Sequence, residues 1–381
     1  VTLLDDLKLR LGYGSTGNQE IGNYAFASVL QTVQYNFGGQ VVSGVVPNVM
    51  PNPTVHWESV DQFNVGLDAS AFDNRVRLTL DGYVKNTTGM LVPMSVPVTT
   101  GYSDIATPSI NAGKIRNTGF ELTLSTDNLR GPVEWTTDFN FSHNRNEVVS
   151  LNDTIPLVRG DIDFNWKLAR LQAGHPLDAF YGFVTNGIFQ TQAEVDAYAV
   201  QVPGADPYNR TSPGDLRFVD LNNDGLINDQ DRTFIGDPNP DFSFGLSNSL
   251  RYGNLDVRLF VQGVYGNEIF NANRIWTEGM MSARNQTRAV ERRWTGPGTS
   301  TTMPRAVYAD PNGNARASDR FIEDGSYLRL KDLTVGYTLP SALTQRLNAA
   351  RARVYAAAQN LWTLTGYTGF GPPFPKGPPG P

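Results

Sequence analysis

The chain has 381 residues, of which 40% are hydrophobic and 18% charged, and its formal net charge is -6 at neutral pH. Acidic balance excludes nucleic acid as a partner, and the absence of cysteine excludes disulfides, thiolate catalysis and zinc–thiolate sites. No run of about eighteen apolar residues occurs, which excludes a membrane-spanning helix but not a spanning β-barrel, whose wall is only half apolar. The 37 glycines and 24 prolines suit a turn-rich all-β chain. The stretch opens at Val1 without a secretory leader, as expected for a mature chain or a piece of a longer one.

In chain order, Leu7, Leu9, Leu11 and Tyr13 alternate with Lys8, Arg10 and Gly12, which predicts a first strand. A long loop, 16–56, follows, with scattered aromatics (Tyr24, Phe26, Tyr35, Phe37). The second strand covers Trp57–Phe72, with Phe63, Val65 and Leu67 opposite Gln62, Asn64 and Asp68. Asp73-Asn74 is a turn, and Arg75–Asn86 is the third strand. A loop rich in Pro and Thr, 87–113, leads to the fourth strand, Lys114–Thr126. The fifth, Val133–Asn144, sets Trp135, Phe139 and Phe141 against Glu134, Asp138 and Asn140.

The longest insertion, 145–241, contains Thr191-Gln-Ala-Glu194, a capping-box pattern that predicts a brief helix. Two alternating runs follow, Phe242–Tyr252 and Leu255–Tyr265, separated only by Gly253-Asn254. That gap is a tight-hairpin signal. A second large insertion, 266–325, carries Trp276, Trp294 and an arginine cluster, Arg288, Arg292 and Arg293. The eighth strand is Ser326–Leu339, and its apolar phase shifts between Leu330 and Leu333, which predicts a bulge. Pro340–Ala350 predicts a helical turn, and Arg351–Leu361 is the ninth strand.

Connections alternate in length, long after strands one, three, five and seven and short after the even ones. Strands of about 9–11 residues suit a tilted crossing of a bilayer. The pattern predicts an all-β antiparallel transmembrane β-barrel with short periplasmic turns and long extracellular loops, placed in a bacterial outer membrane. Polar faces rich in Arg, Asp, Asn and Gln then point into a wet lumen, and outer-membrane lipid meets the apolar faces. Nine strands are an odd number, which predicts further strands outside this stretch. The Pro/Gly-rich end, 371–381, cannot form a ladder and is expected to be disordered.

Asp220, Asn222, Asp224, Gly225, Asn228 and Asp231 fall at positions 1, 3, 5, 6, 9 and 12 of an EF-hand-like loop, and Leu226 at position 7 offers its carbonyl. Hard oxygen ligands at that spacing predict a structural Ca²⁺ site; the bland alternative is a loop of Asx turns without metal. Asp at position 12 lacks a methylene relative to Glu and needs a tighter loop. Gly12-Tyr-Gly-Ser-Thr-Gly17 matches a nucleotide-binding spacing but is followed by no helix, so no nucleotide site is read there. His56, His143 and His175 are too scattered for a metal site, and no nucleophile elbow occurs. The acidic pairs Glu323-Asp324 and Asp161/Asp163 read as solvated loop residues and not as a glycosidase pair. Tyr24, Tyr35, Tyr102, Trp276 and Trp294 are candidate ligand or partner contacts, with a membrane girdle as the competing role for some of them.

Several of these stretches carry a family resemblance. They are Asn52-Pro53 with Trp57-Glu58, Gln62, Asn64 and Gly66-Leu67-Asp68; Arg116-Asn-Thr-Gly-Phe-Glu-Leu122; Asn144-Arg-Asn-Glu-Val148; Ile235-Gly-Asp-Pro-Asn-Pro-Asp-Phe242; Phe321-Ile-Glu-Asp-Gly-Ser-Tyr-Leu-Arg-Leu-Lys331; and Ala358-Gln-Asn-Leu-Trp-Thr-Leu-Thr-Gly-Tyr-Thr-Gly-Phe370. Together they cover most of Leu7–Phe370, and the whole resembles the C-terminal barrel portion, 1–370, of SusC/RagA-class TonB-dependent outer-membrane transporters of Bacteroidetes-type bacteria. The resemblance implies a 22-stranded barrel filled by an N-terminal plug. It implies contact with TonB through a missing N-terminal region, a SusD-like surface lipoprotein as partner, and import of oligosaccharides or peptides. Transport and not catalysis is the expected activity. A passive outer-membrane barrel or surface binding protein is the alternative, and a secreted calcium-stabilised carbohydrate-active enzyme is a third class.

Overall fold

The computed structural model describes residues 3–369 except 22–23, 25, 29, 48–49, 94–108, 112, 152–156, 163–165, 205–208 and 347. Tyr102, Asp163 and the tail 371–381 lie outside the described residues. Among the described residues there are nine long strands, β1 (Asp6–Asn18), β2 (Glu58–Ala71), β3 (Val76–Thr88), β4 (Gly113–Leu129), β5 (Val133–Leu151), β6 (Phe242–Tyr252), β7 (Leu255–Tyr265), β8 (Tyr327–Thr338) and β9 (Arg353–Thr365). β6 and β7 have the bounds read from their alternation. Others run further: β1 continues to Asn18 because Gly14–Asn18 ladder onto Glu58–Gln62, although these polar residues show no alternation of their own. The glycine-rich Gly12–Gly17 motif therefore lies inside a strand.

Two compact units emerge. The first comprises 1–126, 142–157 and 172–177. Its strands β1, β2, β3 and β4 pair antiparallel, each with the next. Register aligns side chains into rows across the strands. Leu9, Leu67, Leu80 and Leu122 form one row of the apolar face, and Leu11, Val65, Gly82 and Phe120 the next. Phe63 and Phe120, on interior strands, are 49% and 43% exposed. The opposite face carries Arg10, Gly66, Asp81 and Glu121 in one row and Gly12, Asn64, Tyr83 and Gly119 in another. A soluble domain would bury the first face. Here that face lies bare and the polar one is cross-linked, which is the polarity of a lipid-facing wall.

Two glycines make the cross-links possible. Arg10 on β1 reaches over Gly66 on β2 to Asp81 on β3 at 2.8 Å, and also holds Asp68 at 2.7 Å. A Cβ at Gly66 would sit 2.4 Å from the Asp81 carboxylate. The Tyr83 hydroxyl on β3 passes over Gly119 on β4 and donates to Asn144 Oδ1 on β5 at 3.1 Å. In the loop read as 16–56, Leu30–Phe37 and Gln40–Pro47 form a hairpin instead of irregular chain.

The second unit comprises 127–141, 158–171 and 178–381. Here Phe139 and Phe141 of β5 lie against Phe244 and Phe242 of β6, with ring centroids 6.4 and 5.3 Å apart. β6, β7, β8 and β9 follow as a meander. Gly253 has φ +55 in the two-residue turn between β6 and β7, as a primed hairpin turn requires. The expected bulge falls at Lys331, which the register skips between Leu330 and Asp332. Arg353 of β9 crosses Gly336 of β8 to bond Asp256 of β7, Nε to Oδ1 at 3.0 Å. This is the same glycine-saddle arrangement again.

The insertions read as 145–241 and 266–325 are not bare loops. Phe183, Ile188, Leu216, Phe218 and Ile227 form one buried cluster, and Ile275, Ala315 and Phe321 another. Helices occur at Gln192–Asp196, capped by Thr191, and at Ser341–Arg346. Glu194 reaches the Gln190 amide, not that of Thr191, so only half of the capping box forms. No helix among the described residues is long and apolar enough to cross a membrane.

Gly119 is the sharpest test of this wall, because a Cβ there would lie 2.3 Å from the His143 carbonyl oxygen. Gly119→Ala is expected to destabilise the protein by roughly 2 kcal/mol through forced backbone movement. Gly82→Ala meets nothing within 4 Å and is expected to be nearly neutral. Urea unfolding of the receptor in detergent checks both; equal midpoints would reject the saddle.

Candidate functional site

The second unit contains a cleft of about 900 Å³. Its floor begins with the helix Asn273–Glu278, which sets Arg274 and Glu278 one turn apart. Arg274 forks onto Glu278, Nε to Oε1 at 3.1 Å and Nη2 to Oε2 at 3.0 Å. Its remaining Nη1 meets Glu323 Oε1, also at 3.1 Å. Arg320 lies 3.5 Å from Glu278 Oε2 and donates to the Thr302 carbonyl. Burial lowers the Arg320 guanidinium to about 10, which leaves it cationic at neutral pH. Burial also pulls on Arg274, but its two carboxylate partners outweigh that and raise it.

Glu323 is the structural surprise. Its sequence context reads as solvated, yet its side chain is only 9% exposed. It accepts from the Thr368 amide at 2.8 Å and hydroxyl at 2.9 Å, and from Asn271 Nδ2 at 3.2 Å. Thr368 lies just beyond β9, so this carboxylate latches the chain leaving that strand to the cleft. Asn271 is 2% exposed, and its carboxamide oxygen has no hydrogen-bond partner among the described residues. No local motif announces this group, because its partners are 45 to 52 positions from Glu323.

The insert is held by a second buried network. Asp215, fully buried, accepts from Arg305 at 2.8 and 3.1 Å and from Asn314 at 3.0 Å. Asn312, also fully buried, joins Gln201, Thr211, Asn314 and the Leu216 carbonyl. Paired in this way, these groups avoid the penalty of buried unsatisfied polar atoms.

The loop 220–231 is organised by its own amides. Asp220 accepts from Asp224 and Gly225 N–H, Asp224 from Leu226 N–H, and fully buried Asp231 from Leu221 and Asn228 N–H. Asn222 bonds Asp224 through Nδ2, and Asn228 caps Gln230. Gly225 has φ +82, the left-handed turn expected at that position. Among the described residues no three His, Cys, Asp or Glu converge as a metal site. Each carboxylate keeps lone pairs beyond its amide bonds, so the hard-oxygen set is compatible with a cation without presenting a preformed cage.

The aromatic candidates divide by environment. Tyr24 and Tyr35, in the first unit, are 70% and 64% exposed. In the second, Trp294 packs against the Phe183 cluster and donates Nε1–H to Gln190 at 3.1 Å. Gly214, at φ +91, leaves room for that indole. Trp276 is covered by the Arg284 guanidinium, 3.8 Å from the ring centroid. His56 and His143 have local roles, against Thr54 O and Phe120.

On the polar face of the first unit, Arg10, Asn64, Asp81, Tyr83, Lys85 and Glu121 line a recess of about 790 Å³. A strand wall that is bare and apolar on one side and charged on the other matches the family model of the "TonB dependent receptor-like, beta-barrel" over residues 1–361. The chain belongs to this family. Its relatives include TonB-dependent receptor P3 of Formosa agariphila, 34% identical over 96% of this chain and 35% of that protein. TonB-dependent receptor SusC of Bacteroides thetaiotaomicron is 27% identical over 99% of this chain and 36% of its own length. The RagAB peptide transporter structure superposes with a TM-score of 0.78 at 26% identity, over 98% of this chain and 38% of that one. The chain is thus of SusC/RagA type and spans about a third of the length of the curated relatives it matches. It is an outer-membrane β-barrel segment whose relatives are named as receptors, not enzymes.

The latch makes a pH prediction. Burial would raise the Glu323 carboxyl, but the Thr368 and Asn271 hydrogen bonds and Arg274 outweigh it and hold it below the usual range. A depressed carboxylate contributes stability above its unfolded pKa and loses it as pH falls through the folded value. Protection of the Thr368 amide, taken relative to its intrinsic exchange rate at each pH, is therefore expected to hold at neutral pH and to fall only below the ordinary carboxylate range. Glu323→Gln should exchange fast at neutral pH; unchanged protection in that variant would reject the latch.

Proposed function

We propose that this chain supplies barrel wall and extracellular loops to a TonB-dependent importer of oligosaccharide or peptide nutrients, working with a SusD-like surface lipoprotein. The observation that supports it is the inverted polarity of the long strands. Apolar rows face outward, and a charged, glycine-saddled face is left for a water-filled path. Kinship with SusC and likeness to the RagAB peptide transporter point the same way. Import would be gated transport driven through TonB, which contacts a region outside this stretch. Tyr24 and Tyr35, both exposed, remain available to a ligand or partner.

Uptake of labelled peptides and oligosaccharides by cells carrying the full receptor tests this. Uptake should vanish when TonB is deleted. Uptake that persists without TonB would identify a passive pore instead.

Calcium belongs to the same reading. Asp220, Asn222, Asp224, the Leu226 carbonyl, Asn228 and Asp231 would hold one Ca²⁺, which would stiffen the insert at affinities down to about millimolar. Calorimetry on the intact receptor should show uptake that Asp224→Ala removes. No heat at millimolar Ca²⁺ would leave the loop as Asx turns alone.

A further inference from the structure

We infer that the cleft of the second unit is a binding site for short peptides with free ends. This rests on the transport reading above and narrows it from oligosaccharide or peptide to peptide.

The cleft's volume, about 900 Å³, falls within the range of small-molecule sites. An extended tetrapeptide spans about 13 Å. The floor holds the Arg274–Glu278–Arg320–Glu323 quartet, with side chains 9 to 23% exposed. Buried ion pairs are weak contributors to stability. Four such groups beneath an open cleft, where a closed apolar floor would serve stability better, therefore suggest a role in recognition. Beside them the carboxamide oxygen of Asn271 is buried with no donor among the described residues. Native proteins rarely leave such an acceptor unmet, and a peptide amide N–H, admitted by a small shift of the side chain, is a donor of the right kind.

The rim carries one group of each sign. Arg292 is exposed and lines the cleft, with no hydrogen-bond or ion-pair partner among the described residues. Asp324, also exposed, uses one oxygen to hold the Ser326 amide and keeps the other. A free carboxylate meets Arg292 and a free ammonium meets Asp324. A zwitterionic chain with free ends offers both. A neutral oligosaccharide has neither charge, and it would seek an aromatic face for its C–H surface. Among the described residues that line the cleft there is no Phe, Tyr, Trp or His.

Equilibrium dialysis of the full-length receptor in detergent, read by mass spectrometry, tests this with three probes. They are a random tetrapeptide library with free ends, the same library acetylated and amidated, and a maltodextrin mixture. The free-ended library should be retained, and blocking its ends should cut retention about tenfold, as for loss of a charge-assisted contact. Arg292→Ala and Asp324→Asn, both at exposed positions, should each do the same. Arg130→Ala, in the turn after β4, should leave retention unchanged.

Equal retention of blocked and free libraries, no peptide retention, or preference for maltodextrin would overturn the inference. So would an Arg292→Ala receptor that retains peptides as the parent does. The two readings fail separately. TonB-dependent uptake that survives in Arg292→Ala cells sinks the cleft alone, whereas retention without TonB-dependent uptake sinks the transport reading alone.

Discussion

A strand that meets lipid on one face and water on the other must satisfy every backbone group within its ladder, since lipid offers no partners. The rest of this structure depends on that constraint. It demands long, regular pairing such as the thirteen-residue register between β1 and β2. It turns the usual pattern inside out, with Leu and Phe bare and Arg and Asp linked. It also confines irregularity to places that can absorb it, as at the Lys331 bulge.

On the polar face, charge must be neutralised between neighbours. A direct neighbour is reached easily, but a residue two strands away is blocked by the side chain between. Gly66 and Gly336 remove that obstacle, so that Arg10 reaches Asp81 and Arg353 reaches Asp256. Each bridge is partly exposed and contributes little by itself. Their value lies in tying three strands at one level, which fixes register where polar residues alone would specify it weakly.

The inserts obey different physics. They have cores of their own, with Phe189, Phe218 and Phe321 almost fully buried. Around these small apolar clusters, the hydrogen-bond and ion-pair networks of Asp215 and Asn312 satisfy polar groups that burial would otherwise leave unmet. The cleft has a separate set of partners. Its floor residues are held by their own ion pairs and by the latch at Thr368.

By itself, the sequence determined the nine long strands, the Gly253 turn, the bulge and two of the short helices, but not the helix Asn273–Glu278. Period-two alternation and capping are local signals, carried by residues that touch their sequence neighbours. Even there it stopped short where polar residues ladder without alternating, as in Gly14–Asn18. Tertiary structure alone decided that Trp294 packs into a core, that Glu323 is buried, and that Asn271, Arg274, Arg320 and Thr368 gather around it. Asn271, Arg274 and Thr368 reach Glu323, and Arg320 reaches Glu278, across 42 to 52 positions, and nothing in the local pattern encodes those contacts. A loop acidic residue looks the same whether water or an arginine faces it, and only the fold brings the arginine.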